Sequence, residues 1–363
     1  MSNPTYYRQL CAMWPELEQF NEQIYIFSSD GISNPLEIAN DIRMQKEIGK
    51  TKFIFYAPAE ALMTDFCIGI HSVVDILINE VESTNFIYIS GGIHGQSAYD
   101  DLTRQHTWHN KITILGCNFW EKFTSFRFET IPAYIVQVKP KKFLCFNRVP
   151  RLHRIELLEN MLKHNLVDSA YYSFDKTVDF NYHVEDIEIL EKYPHIHKNQ
   201  HRLPLELNLY KDCENPATST IHDLKYYEGS YFSVVTETKF HYQDPAGHGE
   251  YLTNDMIISE KVIKPIVFKH PFIVLAASNY LKELQKLGYK TFHPYIDETY
   301  DTIENDQTRF SMIVNEITRL CNQTDEEWLQ WQIAVKEIVE FNNQVYYSRK
   351  DHRITTNVEK YFK

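Results

Sequence analysis

Short apolar runs that alternate with helical stretches constrain this 363-residue chain more than any other feature. In the first third, IYIFSS (24–29) and KFIFYAP (52–58) are short, β-branched or aromatic, and typical of buried strands. The stretch between them, 34–49, has apolar residues at helical spacing and stops at a glycine. The rhythm continues with NFIYIS (85–90) and KITILGC (111–117). Strands that alternate with helices predict a mostly parallel sheet with helices on both faces.

A second alternation of this kind begins near Pro140. KKFLCFN (141–147) predicts a strand, and IELLENMLKHNLV (155–167) predicts an amphipathic helix. The clearest later strands are YFSVVTET (231–238) and PFIVLAA (271–277). We therefore expect an α/β fold of two Rossmann-like domains that face each other across a cleft. The predicted divisions are residues 1–138 for an N-terminal domain, 139–322 for a C-terminal domain and 323–363 for a terminal segment.

That terminal segment predicts one long helix. TDEEWLQWQIAVKEIVEFNNQVYY (324–347) is rich in helix formers, and Thr324 and Glu327 have the spacing of a capping box.

Charge and cysteine content narrow the classes of function. The formal net charge of −12 lowers the expectation of a large nucleic-acid footprint, because proteins that grip a phosphate backbone usually present a basic face. The six cysteines include no CxxC pair, which argues against a disulfide framework and a zinc ribbon. No signal pattern is present, and no apolar run approaches the roughly 20 residues that span a bilayer. We expect a cytoplasmic protein with no membrane partner.

The strongest chemical signal is NRVPRLHR, which follows a strand and opens a helix. It supplies Asn147, Arg148, Arg151 and Arg154. A helix N-terminus favours anions, and a guanidinium group can bond two phosphate oxygens at once. Because cations in a first turn oppose the helix dipole, a bound phosphate would account for them. The alternative is that the arginines pair with nearby carboxylates such as Glu156 and Glu159.

A second signal joins a strand end to the helix that comes next. Its residues are Thr236, Glu237 and Lys239 at the strand end, and Ser259, Glu260, Lys261 and Lys264 in the helix. Ser259 suits an N-cap, and the carboxylate of Glu260 suits the first turn. A carboxylate in this setting can hold ribose or sugar hydroxyls, while a lysine neutralises a diphosphate. An ordinary capped helix with solvated lysines is the alternative.

Three weaker patterns carry competing interpretations. The acidic run 297–301 would bind a metal only if its ligands converged, and otherwise predicts a solvated loop. His195, His197 and His201 could chelate a metal, but their polar setting favours a solvated loop. In SGGIHG (90–95) the glycines permit close approach of the backbone to a ligand, without forming the GxGxxG pattern of NAD-binding proteins.

Three residues near that turn are candidate general bases. They are His94, Asp100 and Asp101. A histidine or carboxylate within hydrogen-bond reach of an acceptor hydroxyl can take its proton. The competing interpretation is that a lone histidine or a helix-start aspartate is structural.

The order SEK, KP, PFI, LGYKTF and DETYD, preceded by SVVTET, resembles the donor-binding half of a glycosyltransferase family common in phage and large-virus genomes. It is more distantly similar to α-1,3-fucosyltransferases and exostosin-type transferases. The resemblance covers roughly residues 141–320 and implies a GT-B fold. It also implies that the helix predicted in the terminal segment, 323–363, packs back across the junction between the two domains. It implies that Arg148, Arg151 or Arg154 binds a diphosphate together with Lys261, that Glu260 contacts the ribose or sugar, and that Asn147 and Glu237 line the same cleft. The run HPFIVLAAS departs from the fucosyltransferase pattern, which leaves the donor open.

The sequence thus predicts transfer of a sugar from a nucleotide-diphosphate sugar to a hydroxyl acceptor, with no metal and no other cofactor. The acceptor would be a glycan, a protein or a hydroxylated base in viral DNA. A DNA acceptor requires a basic groove on the N-terminal domain, and the net charge of −12 speaks against one. The available charges are Lys111, Lys122, Arg127, Lys139, Lys141 and Lys142. A non-catalytic binding or virion-associated protein that kept the scaffold is the alternative, and it predicts no response to nucleotide diphosphates.

Overall fold

A computed structural model describes residues 4–28, 34–45, 48–57, 64–116, 133–147, 150–174, 191–203, 205, 224–240, 255–349 and 361. The chain forms two compact units. Unit 1 comprises 1–123, 242–259 and 350–363, and unit 2 comprises 124–241 and 260–349. The predicted α/β class with two parallel sheets is confirmed. Among the described residues, no helix combines the length and apolar character needed to cross a bilayer.

Unit 1 contains a parallel sheet in which the described strands follow one another in chain order. The strands are β1 (Ile24–Ser28), β2 (Lys52–Ala57), β3 (Phe86–Ser90) and β4 (Thr113–Gly116). The helices are α1 (Pro4–Met13), α2 (Pro35–Arg43), α3 (Thr64–Leu77) and α4 (Gly95–Gln105), with 3-10 turns at Pro15–Gln23 and Ser83–Asn85. All four of these strands match apolar runs that the sequence predicts as strands.

The central strands β2 and β3 of unit 1 are buried on both faces, which explains their nearly continuous apolar sequence. On one face Phe53 and Phe55 of β2 pack with the residues of α2, α3 and α4. On the other face Ile54 and Tyr56 of the same strand pack against Leu10 of α1. Successive side chains of a strand point to opposite faces, so each strand feeds two cores.

Unit 2 contains a second parallel sheet, in the order β6-β5-β7-β8. Its strands are β5 (Lys141–Phe146), β6 (Ala170–Ser173), β7 (Ser230–Thr236) and β8 (Phe272–Leu275). Its helices are α5 (Leu152–Lys163), α6 (Pro194–Asn199), α7 (Leu224–Glu228), α8 (Glu260–Val267), α9 (Tyr280–Lys286), α10 (Asp306–Cys321) and α11 (Asp325–Arg349). It also has 3-10 turns at Val167–Ser169, Gln200–Arg202 and Thr299–Thr302.

The long helix α11 belongs to unit 2. Its Trp328 stacks on Tyr231 of β7, with ring centroids 4.1 Å apart. The side chain of Gln332 exchanges hydrogen bonds with the backbone of Gln137, which precedes β5. Gln137 therefore lies in the same unit as α11, which comprises 124–241 and 260–349. The predicted capping box is confirmed, because Thr324 Oγ1 accepts from the Glu327 amide at 3.2 Å and Glu327 accepts from the Thr324 amide at 2.8 Å.

Candidate functional site

The strand order of unit 2 reverses direction between β5 and β7, because β6 lies on one side of β5 and β7 on the other. In open parallel sheets, ligands bind beyond the carboxyl ends of the strands at such a reversal. Asn147 follows β5 at this edge, Thr236 ends β7, and Glu237 comes next. The residues singled out from two separate sequence signals therefore meet at one point of the sheet.

Asn147 connects the ends of three strands beneath this point. Its Oδ1 accepts a hydrogen bond of 2.5 Å from the hydroxyl of Thr236, and its Nδ2 donates to Tyr172 OH at 3.4 Å and Cys145 Sγ at 3.2 Å. Its backbone amide donates to Ser173 Oγ at 3.1 Å. Asn147 is 2% exposed, and its hydrogen bonds hold the ends of β5, β6 and β7 together.

Arg154 reaches the same place from the first turn of α5. Its Nη2 donates to the carbonyl oxygen of Thr236 at 3.0 Å, and 4% of the residue is exposed. Burial, with Arg151 as the next cause, lowers the pKa of Arg154 to about 10, although Glu237 and Glu260 act in the opposite direction. Burial thus outweighs the attraction of the carboxylates, so a further anion beside this guanidinium would be stabilised.

Lys261 arrives from the first turn of α8. Its Nζ lies 3.2 Å from Glu260 Oε1, 3.8 Å from Glu237 Oε2 and 3.4 Å from Thr238 Oγ1. Burial acts to raise the pKa of Glu260, but Lys261 and then Lys264 outweigh it and lower that pKa. Cations from two different helices, α5 and α8, therefore converge on residues 236–238.

Glu237 is the carboxylate at the centre of this group, and 2% of it is exposed. Tyr280 OH donates to its Oε1 at 2.7 Å, and its Oε2 accepts from the Thr238 amide at 3.3 Å. Its carbonyl oxygen lies 2.9 Å from Nε2 of His153. Hydrogen bonds thus hold both the carboxylate and the backbone carbonyl group of Glu237. The carboxylate faces the ammonium group of Lys261.

Arg309 of α10 is a contributor that the sequence analysis missed. It is 1% exposed, and it donates to the carbonyl oxygens of Phe240 at 2.7 Å, Ala276 at 3.1 Å and Ile303 at 2.7 Å. It joins the loops that follow β7 and β8. A signal was present, because Arg309 stands four residues before the buried Ile313 on the apolar face of α10.

The remaining predicted donor residues have different placements. Arg151 is the N-cap residue of α5 and is partly exposed. Lys264 lies one turn beyond Glu260 in α8. Ser259 is buried, directly precedes α8 and is assigned to unit 1. Arg148 lies outside the described residues.

The acidic run 297–301 is not the solvated loop that the sequence predicts. Asp301 is buried and accepts from the amides of Leu281 and Lys282, at 2.9 and 3.2 Å, at the start of α9. Glu298 accepts from the Phe292 amide at 2.6 Å. Because these carboxylates accept hydrogen bonds from backbone N–H groups, their presence in the run 297–301 does not require a bound metal.

The histidine segment is also more ordered than predicted. His195 and His197 belong to helix α6. Glu159 of α5 accepts from the amides of His195 and Ile196, at 3.1 and 2.9 Å, and thereby caps that helix. Glu159 is one of the two carboxylates considered above as partners for the arginines. In the described part of the chain, no three His, Cys, Asp or Glu side chains are grouped so that they could hold a metal ion.

The candidate bases of unit 1 have separate positions. His94 directly precedes α4 at the carboxyl end of β3 and is partly exposed. Asp100 and Asp101 lie in the second turn of α4, where Asp100 accepts from Gln96 at 3.1 Å and Asp101 pairs with Arg104. Only His94 of the three stands at the strand end, which is where ligands approach such sheets.

Two of the lysines considered for DNA binding donate hydrogen bonds near the start of β5. Lys139 and Lys141 donate to the carbonyl oxygens of Glu228 at 3.0 Å and Asp168 at 2.6 Å. Burial lowers the pKa of Lys139 to about 8. These charges lie in unit 2, at the opposite end of the sheet from Asn147. Lys122 and Arg127 lie outside the described residues.

No protein-family model and no curated protein sequence matches the chain. Among solved structures, the chain is similar to T4 phage BGT in complex with its UDP-glucose substrate, with 10% identity over 93% of this chain and 79% of that one, at a TM-score of 0.36. It is also similar to a DNA-modifying β-glucosyltransferase, with 8% identity over 93% of this chain and 99% of that one, again at 0.36. Because these scores are low, the functional interpretation depends on the residues of this chain.

Proposed function

We propose that the protein transfers a sugar from a nucleotide-diphosphate sugar to a hydroxyl acceptor, and that unit 2 binds the donor. The observation that carries the proposal is the convergence of Arg154 and Lys261 on residues 236–238, at the reversal of strand order. A diphosphate placed there would receive two cations and the N-terminal ends of α5 and α8.

The charges at this point suit a diphosphate that carries hydroxyl groups. Arg154 and Lys261 would neutralise phosphate oxygens, whereas Glu237 and Glu260 are acceptors for hydroxyl groups of a ribose or sugar. A simple phosphate would use only the cations. The mixture of buried carboxylates and cations therefore favours a nucleotide-sugar over an inorganic anion.

The same residues would act on the reaction. As the bond between sugar and diphosphate breaks, negative charge grows on the leaving diphosphate, and preorganised cations stabilise that charge without a metal. The acceptor hydroxyl must lose a proton to a base within hydrogen-bond reach. We assign that role to His94, with Asp100 and Asp101 as the alternatives.

Thermal unfolding with UDP, GDP, CMP, ADP and their sugar conjugates tests donor binding. A ligand at 100 times its Kd adds about 2.7 kcal/mol to the free energy of unfolding. One nucleotide class should stabilise the protein, and Lys261→Ala should abolish the effect. No stabilisation by any of them would refute the proposal and favour the non-catalytic binding protein.

Transfer from the stabilising donor then identifies the acceptor. Radiolabelled sugar would be offered with free glycans, with protein and with duplex DNA that contains hydroxymethylated bases. We expect product on one acceptor class, and loss of that product in His94→Ala with donor binding retained. Retained activity in His94→Ala, with loss in Asp100→Asn or Asp101→Asn, would move the base to that residue.

A further inference from the structure

The turn that follows β3 surrounds the carboxylate of Asp255, a residue from a distant part of the same chain. Asp255 lies 161 residues after His94, yet its Oδ1 accepts a hydrogen bond of 2.7 Å from the His94 amide. The same oxygen accepts from the Met256 amide at 3.0 Å, and Ser90 Oγ donates to Oδ2 at 3.5 Å. Only 1% of Asp255 is exposed.

Gly92 is shaped to receive this carboxylate. A Cβ added at Gly92 would overlap the carboxyl group of Asp255, far inside van der Waals contact. The two segments are also joined by an antiparallel bridge between Gly92 and Ile257 and by a bond of 2.8 Å from the Ile93 amide to the Met256 carbonyl. The sequence suggested that the glycines admit a ligand, but Gly92 instead admits Asp255.

The carboxylate of Asp255 stands at the N-terminal end of α4. A Cβ built on Gly95, the first residue of that helix, would lie 3.7 Å from Asp255 Oδ2. The first turn of α4 has no acidic residue of its own. A negative charge at this end of a helix is stabilised by the backbone dipoles and N–H groups.

We propose that Asp255 is a positioning residue, whose carboxylate fills the anion position at the start of α4 and fixes the turn that carries His94. The turn is therefore not a second site for a nucleotide phosphate. The structural part of this inference stands without the proposed function, and the kinetic part rests on it.

Stability measurements test the structural part. Asp255→Ala should lower the unfolding midpoint by roughly 5 °C, since buried amides lose their acceptor. Formate should restore much of this loss, while chloride at equal ionic strength should not. Asp255→Asn should be milder, because the bonds from His94 and Met256 both go to one oxygen. Equal effects of formate and chloride would overturn the proposal.

A double-mutant cycle supplies a second readout. Gly92→Ala should lower the midpoint strongly in the natural chain, because the new methyl group must expel the carboxylate. The same change should have little further effect in Asp255→Ala. Additive losses would mean that the two residues do not share the space, and the proposal would fail.

Kinetics separate positioning from general loss of structure. Asp255→Ala should lower kcat through the displaced His94 turn and leave the donor KM within about twofold, because the proposed donor site is in unit 2. A fall in rate that follows only the folded fraction would reject positioning. If the natural protein transfers no sugar, the proposed function fails, and the formate experiment and the double-mutant cycle decide the role of Asp255.

Discussion

The carboxyl ends of the two sheets differ in what the chain places there. In unit 2 the strand order reverses, and Arg154 and Lys261 meet Glu237 at the reversal. In unit 1 the described strands follow in chain order, and the turn after β3 encloses Asp255. At the edge of unit 2, two cations meet buried carboxylates, whereas at the edge of unit 1 a buried carboxylate accepts hydrogen bonds from backbone amides.

The helices that begin at these edges show why. Neither α4 nor α5 has an acidic residue in its first turn. The carboxylate of Asp255 offsets the positive end of the α4 dipole. Helix α5 instead has Arg151 as its N-cap residue and buries Arg154 in its first turn. Burial is the main reason that the pKa of Arg154 falls to about 10. A helix start that lacks its own carboxylate and carries buried cations is suited to a ligand phosphate.

Removal of one cation is the most severe test of this contrast. Lys261→Ala should reduce sugar transfer roughly 100- to 1,000-fold, the range found when one donor to a developing negative charge is lost. Lys163→Ala is the matched control, because Lys163 is exposed at the far end of α5. Steady-state rates with saturating acceptor make the comparison. Equal activity in both variants would show that the convergence at Glu237 is only structural.

Arg154→Met asks whether the buried guanidinium supports both the fold and the ligand. The Thr236 carbonyl would lose its bond from Arg154, at a cost of about 1–3 kcal/mol in the free energy of unfolding. The stabilisation by the nucleotide should also disappear. Arg202→Met removes the ion pair between Arg202 and the exposed Asp168, so it should cost less than about 1 kcal/mol and leave nucleotide binding intact. Denaturant titrations with and without nucleotide measure both effects.

Acid should weaken unit 1 through the buried His71. Burial lowers the pKa of His71 to about 4, and its Nε2 lies 3.0 Å from Tyr99 OH. His71 is therefore protonated near pH 6.5 in the unfolded chain, but only near pH 4 in the folded chain. The contribution of His71 to the free energy of unfolding is fully present above pH 6.5 and is lost as the pH falls towards 4. The loss is roughly 2 kcal/mol after allowance for solvent screening.

His71→Phe should flatten this part of the pH profile. The stack on Trp108, with ring centroids 3.8 Å apart, can persist with a phenyl ring. Trp108 fluorescence during denaturation at pH 7 and pH 5 reports the change. An equal pH dependence in the variant and the natural chain would assign the acid sensitivity to another group.

The sequence predicted the elements whose apolar runs are long enough to show a period. It did not predict β6, because AYYS is only four residues long and has no β-branched residue. Strand and helix ends gave two separate signals, and the family resemblance placed Arg154, Glu237, Glu260 and Lys261 in one site. The structure brings these four residues together.

Other partners could not be predicted from local sequence. Tyr280 bonds Glu237 across 43 residues, and Asp255 bonds His94 across 161. Such pairs depend on how distant loops fold back to a sheet edge, which periodicity and capping patterns do not encode. Arg309 is an intermediate case, since an arginine on an apolar helix face is visible in the sequence, but the carbonyl groups that it joins are not.

The smallest expected effect comes from a change in unit 2 remote from the site, and it separates stability from ligand binding. Thr324→Ala removes one bond of the capping box at the start of α11 and should cost about 1 kcal/mol. Because Trp328 and Tyr231 remain stacked, the helix should stay docked and the nucleotide should bind with unchanged affinity. Calorimetric unfolding and nucleotide titration of the same sample check both expectations. If this variant lost nucleotide binding, general weakening of unit 2 would also explain losses in the Lys261 and Arg154 variants, and those losses would no longer identify the site.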